Sequence, residues 1–165
     1  YEMDLAPVKA AIIDALKGPI VALKFHNINF KDTNDLSEIL EPFENEHLTV
    51  QTALFLQLEL SFDKELIPAE LQKNLEVLEI SSCNIDDSHV QKLNLIVEKL
   101  PNLRVLKIDH NNMKFAHLNA FLDKFTPNQN PKLTNICLHY FGITPEEKRT
   151  LQQKMKKDHP NLKIE

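Results

Sequence analysis

The chain has 165 residues, 42% of them hydrophobic and 26% charged, with a formal net charge of −5. This size and balance suit one folded domain with a real core rather than a disordered segment. The acidic total argues against a general phosphate-binding surface, and no apolar run is long enough to cross a bilayer or reads as a cleavable signal peptide. Two glycines, Gly18 and Gly142, cannot build a phosphate loop or a dinucleotide fingerprint, which removes a large set of nucleotide enzymes. Cys83 and Cys137 are too few for a disulfide framework. Two free thiols favour a reducing compartment, so a cytoplasmic location is expected. Because the first residue is Tyr1, the expectation is a monomer or a piece of a longer chain.

Residues 1–19 read as an N-terminal capping helix. Asp4 is the candidate N-cap, Val8, Ile12, Ala15 and Leu16 form the apolar stripe, and Gly18 ends it. Ile20, Leu23 and Phe25 mark a first strand. Leu36, Ile39, Leu40 and Phe43 then recur at helical spacing, stopped near Pro42. Leu54, Leu56, Leu58 and Leu60 alternate and predict a second strand. Beyond it, Asp86 or Asp87 caps a helix with Val90, Leu93, Ile96, Val97 and Leu100 on one face. Phe115, Leu118, Phe121, Leu122 and Phe125 repeat that stripe before a polar loop from Thr126 to Pro131. Thr144-Pro145-Glu146-Glu147 is a helix start: an N-cap, a proline in the first turn, and acids at the positive end of the helix dipole. Leu162 and Ile164 suggest one more strand.

The organising stretch is Leu75 to Met113, which says one thing twice. Leu75-Glu-Val-Leu78-Glu-Ile80-Ser-Ser-Cys83-Asn-Ile85 and Leu103-Arg-Val-Leu106-Lys-Ile108-Asp-His-Asn111-Asn-Met113 share the pattern L-x-x-L-x-L-x-x-(N/C)-x-L, 28 residues apart. In a strand the apolar residues at positions 1, 4 and 6 point inward and those between them outward. At position 9, Asn111 can donate and accept to satisfy the turn, and Cys83 is a small buried filler there. The pattern resembles the leucine-rich repeat, and the helical filling between copies is similar to its ribonuclease-inhibitor-like class. The resemblance implies an α/β solenoid over residues 20–165, with about five to six repeats, a curved parallel sheet on the concave side and helices on the convex side. Position 4 is then read at Leu23, Leu58, Leu78, Leu106, Ile136 and Leu162, in steps of 35, 20, 28, 30 and 26 residues. Phe55, Leu58 and Leu60 fill positions 1, 4 and 6 of the second repeat, with Asp63 in the asparagine slot.

That architecture places three rows on the outward side of the sheet. Position 5 carries Lys24, Glu59, Glu79, Lys107 and Cys137; position 7 carries His26, Ser61, Ser81, Asp109 and His139; position 8 carries Asn27, Phe62, Ser82, His110 and Tyr140. Asp109, His110, Cys137 and His139 lie on adjacent strands about 4.8 Å apart, near enough for a pair to share an ion. Their spacing lacks a C-x-x-C or H-x-x-x-H signature, so no metal and no cofactor are expected. His47, His89, His117 and His159 read as surface or boundary residues.

Members of the resembled family mostly bind other proteins, so the function it implies is non-catalytic protein recognition through the concave face. The contact residues expected are Glu79, Lys107, Asp109, His110, His139, Tyr140 and Phe62, against a protein partner rather than nucleic acid or membrane. The alternatives are a regulator of the GTPase-activating type, for which the arginines on offer are Arg104 and Arg149, and a targeting domain of a larger protein such as a secreted microbial effector acting in a host cytosol.

Overall fold

The computed structural model describes residues 22–26, 52–56, 67 and 69–165. The expected N-terminal capping helix, the 36–43 stripe, Phe62, Asp63 and His47 lie outside the described residues. Among the described residues, six strands form one parallel sheet in chain order: β1 (Ala22–His26), β2 (Thr52–Leu56), β3 (Val77–Ser81), β4 (Val105–Lys107), β5 (Asn135–Cys137) and β6 (Lys163–Ile164). Helices α1 (Ala69–Gln72), α2 (Val90–Glu98), α3 (Phe115–Leu122) and α4 (Pro145–Asp158) connect the later strands. The fold is mixed α/β. Parallel neighbours need such crossovers, because a strand must return to its starting end before pairing in the same direction.

The inward positions of the two clear copies behave as their pattern requires. Leu75, Leu78, Ile80, Leu103, Leu106 and Ile108 are fully buried, as is Ile136 one strand further on. They join Leu93 and Val97 of α2, Leu118, Phe121 and Leu122 of α3, and Leu151 and Met155 of α4 in one core. The helices therefore cover one face of the sheet. Val77, Glu79, Val105, Lys107 and Asn135 alternate with the buried residues and remain half-buried on the other face.

The register corrects the sequence reading at two strands. Ala53 pairs with Leu78 and Phe55 with Ile80, so Ala53, not Leu58, holds position 4, and Phe55 holds position 6 rather than 1. The four alternating leucines read as the inward set, but the pairing gives Ala53 and Phe55 the inward positions and places Leu54 in the row of Glu79, since a shift by an odd number of residues exchanges the two faces. Ile164 pairs with Ile136, so Ile164 replaces Leu162 at position 4 of the last strand. The equivalent residues are then Leu23, Ala53, Leu78, Leu106, Ile136 and Ile164, separated by 30, 25, 28, 30 and 28 residues. That spacing is more even than the sequence pattern suggested.

The turns are held by side chains. Asn111 Oδ1 accepts from the Cys83 N–H at 3.1 Å and the Ile85 N–H at 3.0 Å. Its Nδ2 donates to the Ile80 and Ile108 carbonyls, each at 2.7 Å. One amide thus ties β3 to β4 and satisfies four buried peptide groups. Cys83 occupies the same slot one strand earlier, its Sγ 3.3 Å from the Ser81 carbonyl, and Phe141 fills it one strand later, buried and apolar.

Candidate functional site

The outward rows converge where β3, β4 and β5 run into their turns. Along the sheet, Glu79 stands beside Lys107 and Lys107 beside Cys137. Lys107 Nζ lies 3.4 Å from Glu79 Oε2, so these two expected contact residues neutralise each other. The register gives Leu54, not Glu59, the place beside Glu79. The same shift removes Ser61 and Phe62 from their rows, and Phe62 lies outside the described residues.

Cys137 is in the outward row but covered, with 6% of its surface exposed. Its Sγ faces Glu165 Oε2 at 4.0 Å. Burial pushes its thiol pKa up, and the charges of Asp109 and Glu165 push it further, so the neutral thiol is favoured in the fold. Neither cysteine forms a disulfide. Ser81, expected to face outward, is buried instead, and its hydroxyl has no hydrogen-bond partner among the described residues.

Asp109 and His139 meet across β4 and β5. Asp109 Oδ1 accepts from the His139 backbone N–H at 2.6 Å and lies 3.2 Å from His139 Nδ1. His110 turns away from this pair. Its ring stacks on Tyr140, centroids 4.2 Å apart and planes 16° from parallel. Both His110 (φ 54°) and Tyr140 (φ 57°) have left-handed backbone, and the His110 N–H donates to the His139 carbonyl at 2.8 Å. Such conformations are uncommon for residues with a Cβ, and here they swing the ring pair out into solvent. Tyr140 is 77% exposed. Because His110 is committed to Tyr140 and Cys137 to Glu165, the four residues weighed as a metal set do not converge. Among the described residues no three His, Cys, Asp or Glu side chains are placed to hold an ion.

The arrangement offers an exposed aromatic pair, a carboxylate–imidazole pair and a paired Glu–Lys on one continuous edge of the sheet. Arg104, immediately before β4, is engaged with Glu76 at 3.3 Å. His159 departs from its sequence reading. It is buried, and its Nε2 lies 2.9 Å from the Phe125 carbonyl, joining the end of α4 to the loop after α3. Asn130 in the polar loop is also buried, donating to the Val97 carbonyl at 3.3 Å; polarity alone gave no sign of it.

Comparison with known proteins identifies a fold. The chain is similar to domains of leiomodin-1 and tropomodulin. The leiomodin-1 actin-binding site 2 matches with a TM-score of 0.51 and 12% identity over 99% of this chain and 79% of the other. The tropomodulin C-terminal domain of Caenorhabditis elegans matches with a TM-score of 0.51 and 12% identity over 94% of this chain and 80% of the other. No protein-family model matches, and no curated protein does. These structures overturn assignment to the ribonuclease-inhibitor-like class. The repeated pattern specifies only a strand and its turn, whereas the class depends on what fills the space between strands. Among the described residues that filling is uneven, with helices from 4 to 14 residues. Among the described residues no helix is long and apolar enough to cross a membrane.

Proposed function

We propose that this chain is a non-enzymatic protein-recognition module that engages its partner through the outward edge of the sheet. The observation that carries the reading is the His110–Tyr140 pair, stacked in parallel and presented to solvent from two left-handed turns. A ring that already packs on a neighbour loses little freedom when a partner covers it, so its area is available for binding at low entropic cost. Aromatic residues held in this way are the usual anchors of protein interfaces. Asp109, His139, Glu79 and Lys107 flank the pair as a polar rim, in a solenoid whose concave side is this face of the sheet.

Actin is the first partner to test, because the leiomodin-1 fragment of similar fold is described as an actin-binding site. The experiment is co-sedimentation with filamentous actin and pull-down of monomeric actin, comparing the parent chain with Lys107→Glu/Tyr140→Ala. The expected result is capture by the parent and loss of at least tenfold in affinity by the variant, with unchanged circular dichroism. Capture by both proteins alike would move the interface off this edge. Absence of capture by the parent would remove actin, and the same pair of proteins then serves to sort other cytosolic partners. Arg104, held by Glu76, gives no support to the GTPase-activating alternative.

A further inference from the structure

Charge is divided along this chain far more sharply than its net −5 suggests. Residues 1–90 carry 17 acidic and 6 basic side chains, a net of −11, whereas residues 91–165 carry 7 acidic and 13 basic, a net of +6. The densest acidic stretch is 32–46, where Asp32, Asp35, Glu38, Glu41, Glu44 and Glu46 occur with no lysine or arginine. Runs of one sign are a common mark of interaction segments. The basic counterpart is on α4. Leu151 and Met155 define the face of this helix that packs on the core. At 3.6 residues per turn, Arg149, Lys156 and Lys157 fall on the opposite side, and all three are exposed. Arg149 and Lys156 are two turns, about 10.5 Å, apart, so the cations form a ridge, bounded near the helix ends by Glu146 and Asp158. Arg104, Lys107, Lys114 and Lys154 are each paired with a carboxylate. Among the described residues Arg149, Lys156 and Lys157 have no such partner. The helix dipole accounts for cations in the last turn, where Lys156 and Lys157 lie, but not for Arg149 in the second turn.

We propose that this ridge docks the acidic 32–46 segment of a second copy of the chain. The chain itself supplies the complementary charge, whereas a phosphate polymer or an anionic membrane would be repelled by the −11 carried by residues 1–90. Within one copy the segment joins β1 to β2. The strands stand in chain order, so the nearer of its two anchors is three strand spacings, about 14 Å, from β5. An acidic segment of one copy against the basic helix of the next is a heterologous contact. It leaves one acidic segment and one ridge open at the ends of each pair, so further copies add in the same way. The contact uses neither His110 nor Tyr140 and goes beyond the recognition reading.

The test is sedimentation velocity over a concentration series at about 50 mM and about 500 mM salt, the higher value screening exposed charges beyond roughly 4 Å. The expected result is a sedimentation coefficient that rises with concentration at low salt and stays flat at high salt. Arg149→Glu/Lys156→Glu/Lys157→Glu and Glu38→Lys/Glu41→Lys/Glu44→Lys should each remain monomeric alone, and an equimolar mixture of the two should associate again. Lys9→Glu/Lys17→Glu/Lys31→Glu changes the net charge as much as the helix variant does and should associate like the parent. A synthetic peptide of residues 32–46 repeats the test without altering the fold, should a variant fail to give the parent's circular dichroism. It should suppress association of the parent and, in labelled protein, shift the amides of Arg149, Lys156 and Lys157. A parent that is monomeric at low salt, association that survives high salt or the helix variant, or association lost in the Lys9/Lys17/Lys31 variant would each overturn the proposal. So would a peptide that leaves those amides unmoved.

Discussion

Asn111 makes four hydrogen bonds of 3.1 Å or less to backbone groups of two strands and their turns. Replacing it with alanine leaves the Cys83 and Ile85 N–H groups and the Ile80 and Ile108 carbonyls unpaired in a buried setting. At about 1–3 kcal/mol for each unsatisfied group, and with less than full additivity, Asn111→Ala should cost about 3–5 kcal/mol in urea unfolding. Asp86 gives a smaller effect with a pH signature. Its carboxyl accepts from the Ser88 hydroxyl at 2.6 Å and the Ser88 N–H at 2.9 Å, and lies 2.7 Å from His89 Nδ1. The Ser88 bonds, then His89, hold its pKa below the usual 3.8. A depressed folded pKa means that the stabilising contribution is present above the unfolded value and lost as pH falls through the folded one. The parent should therefore be more stable than Asp86→Asn at pH 6, and that difference should shrink below about pH 4 in urea midpoints measured across the range.

Among the described helices, α4 is capped by its own side chains at the start that the sequence wrote most plainly. Thr144 Oγ1 accepts from the Glu147 N–H at 3.2 Å, and Glu147 Oε2 accepts from the Thr144 N–H at 2.7 Å. This reciprocal box satisfies two of the N–H groups that every helix leaves unpaired at its start. Thr144→Ala should cost about 1 kcal/mol, read as a lowered urea midpoint with unchanged slope. At α3 the arrangement is less local. Its N-cap residue Lys114 has no side-chain cap bond, and the Lys114 N–H instead donates to Asp87 Oδ1 at 2.8 Å from the preceding turn. Lys154 of α4 reaches Asn119 Oδ1 at 2.8 Å and also pairs with Asp123, so α3 and α4 are tied side by side. The apolar stripes of both helices were legible from their spacing. These partners were not, since they lie 27 to 35 residues away in sequence.

Across the molecule, the strands share one core with the helices that cover them, and damage at the centre should be felt throughout. Phe121 is fully buried and meets Phe125 edge to face, centroids 5.1 Å apart at 85°. Phe121→Ala should cost about 3–5 kcal/mol, from lost burial and the cavity left behind. Heat or urea should then unfold the variant earlier while the folded fraction still presents the His110–Tyr140 edge. A binding loss larger than the unfolded fraction explains would instead indicate coupling between core and edge.

Much of this architecture was determined by the order of residues alone. Repeated apolar positions at 28-residue spacing, an amide at the turn and helix starts with local caps each act over a few residues, so they survive as pattern. The register of β2 and β6 did not: the alternating leucines from Leu54 read as the inward set where pairing with β3 gives those positions to Ala53 and Phe55, β6 is only two residues long, and only neighbouring strands choose between such pairings. The outward face shows the same division. The sequence placed Asp109, His110, His139 and Tyr140 on one edge, but it could not say that His110 leaves the carboxylate for a ring. Nor could it say that Cys137 is covered or that Lys107 is neutralised by Glu79. Those outcomes depend on side chains brought within about 4 Å of each other from residues some 28–30 positions apart. Proximity of that kind is created by the packed sheet, and no local pattern encodes it.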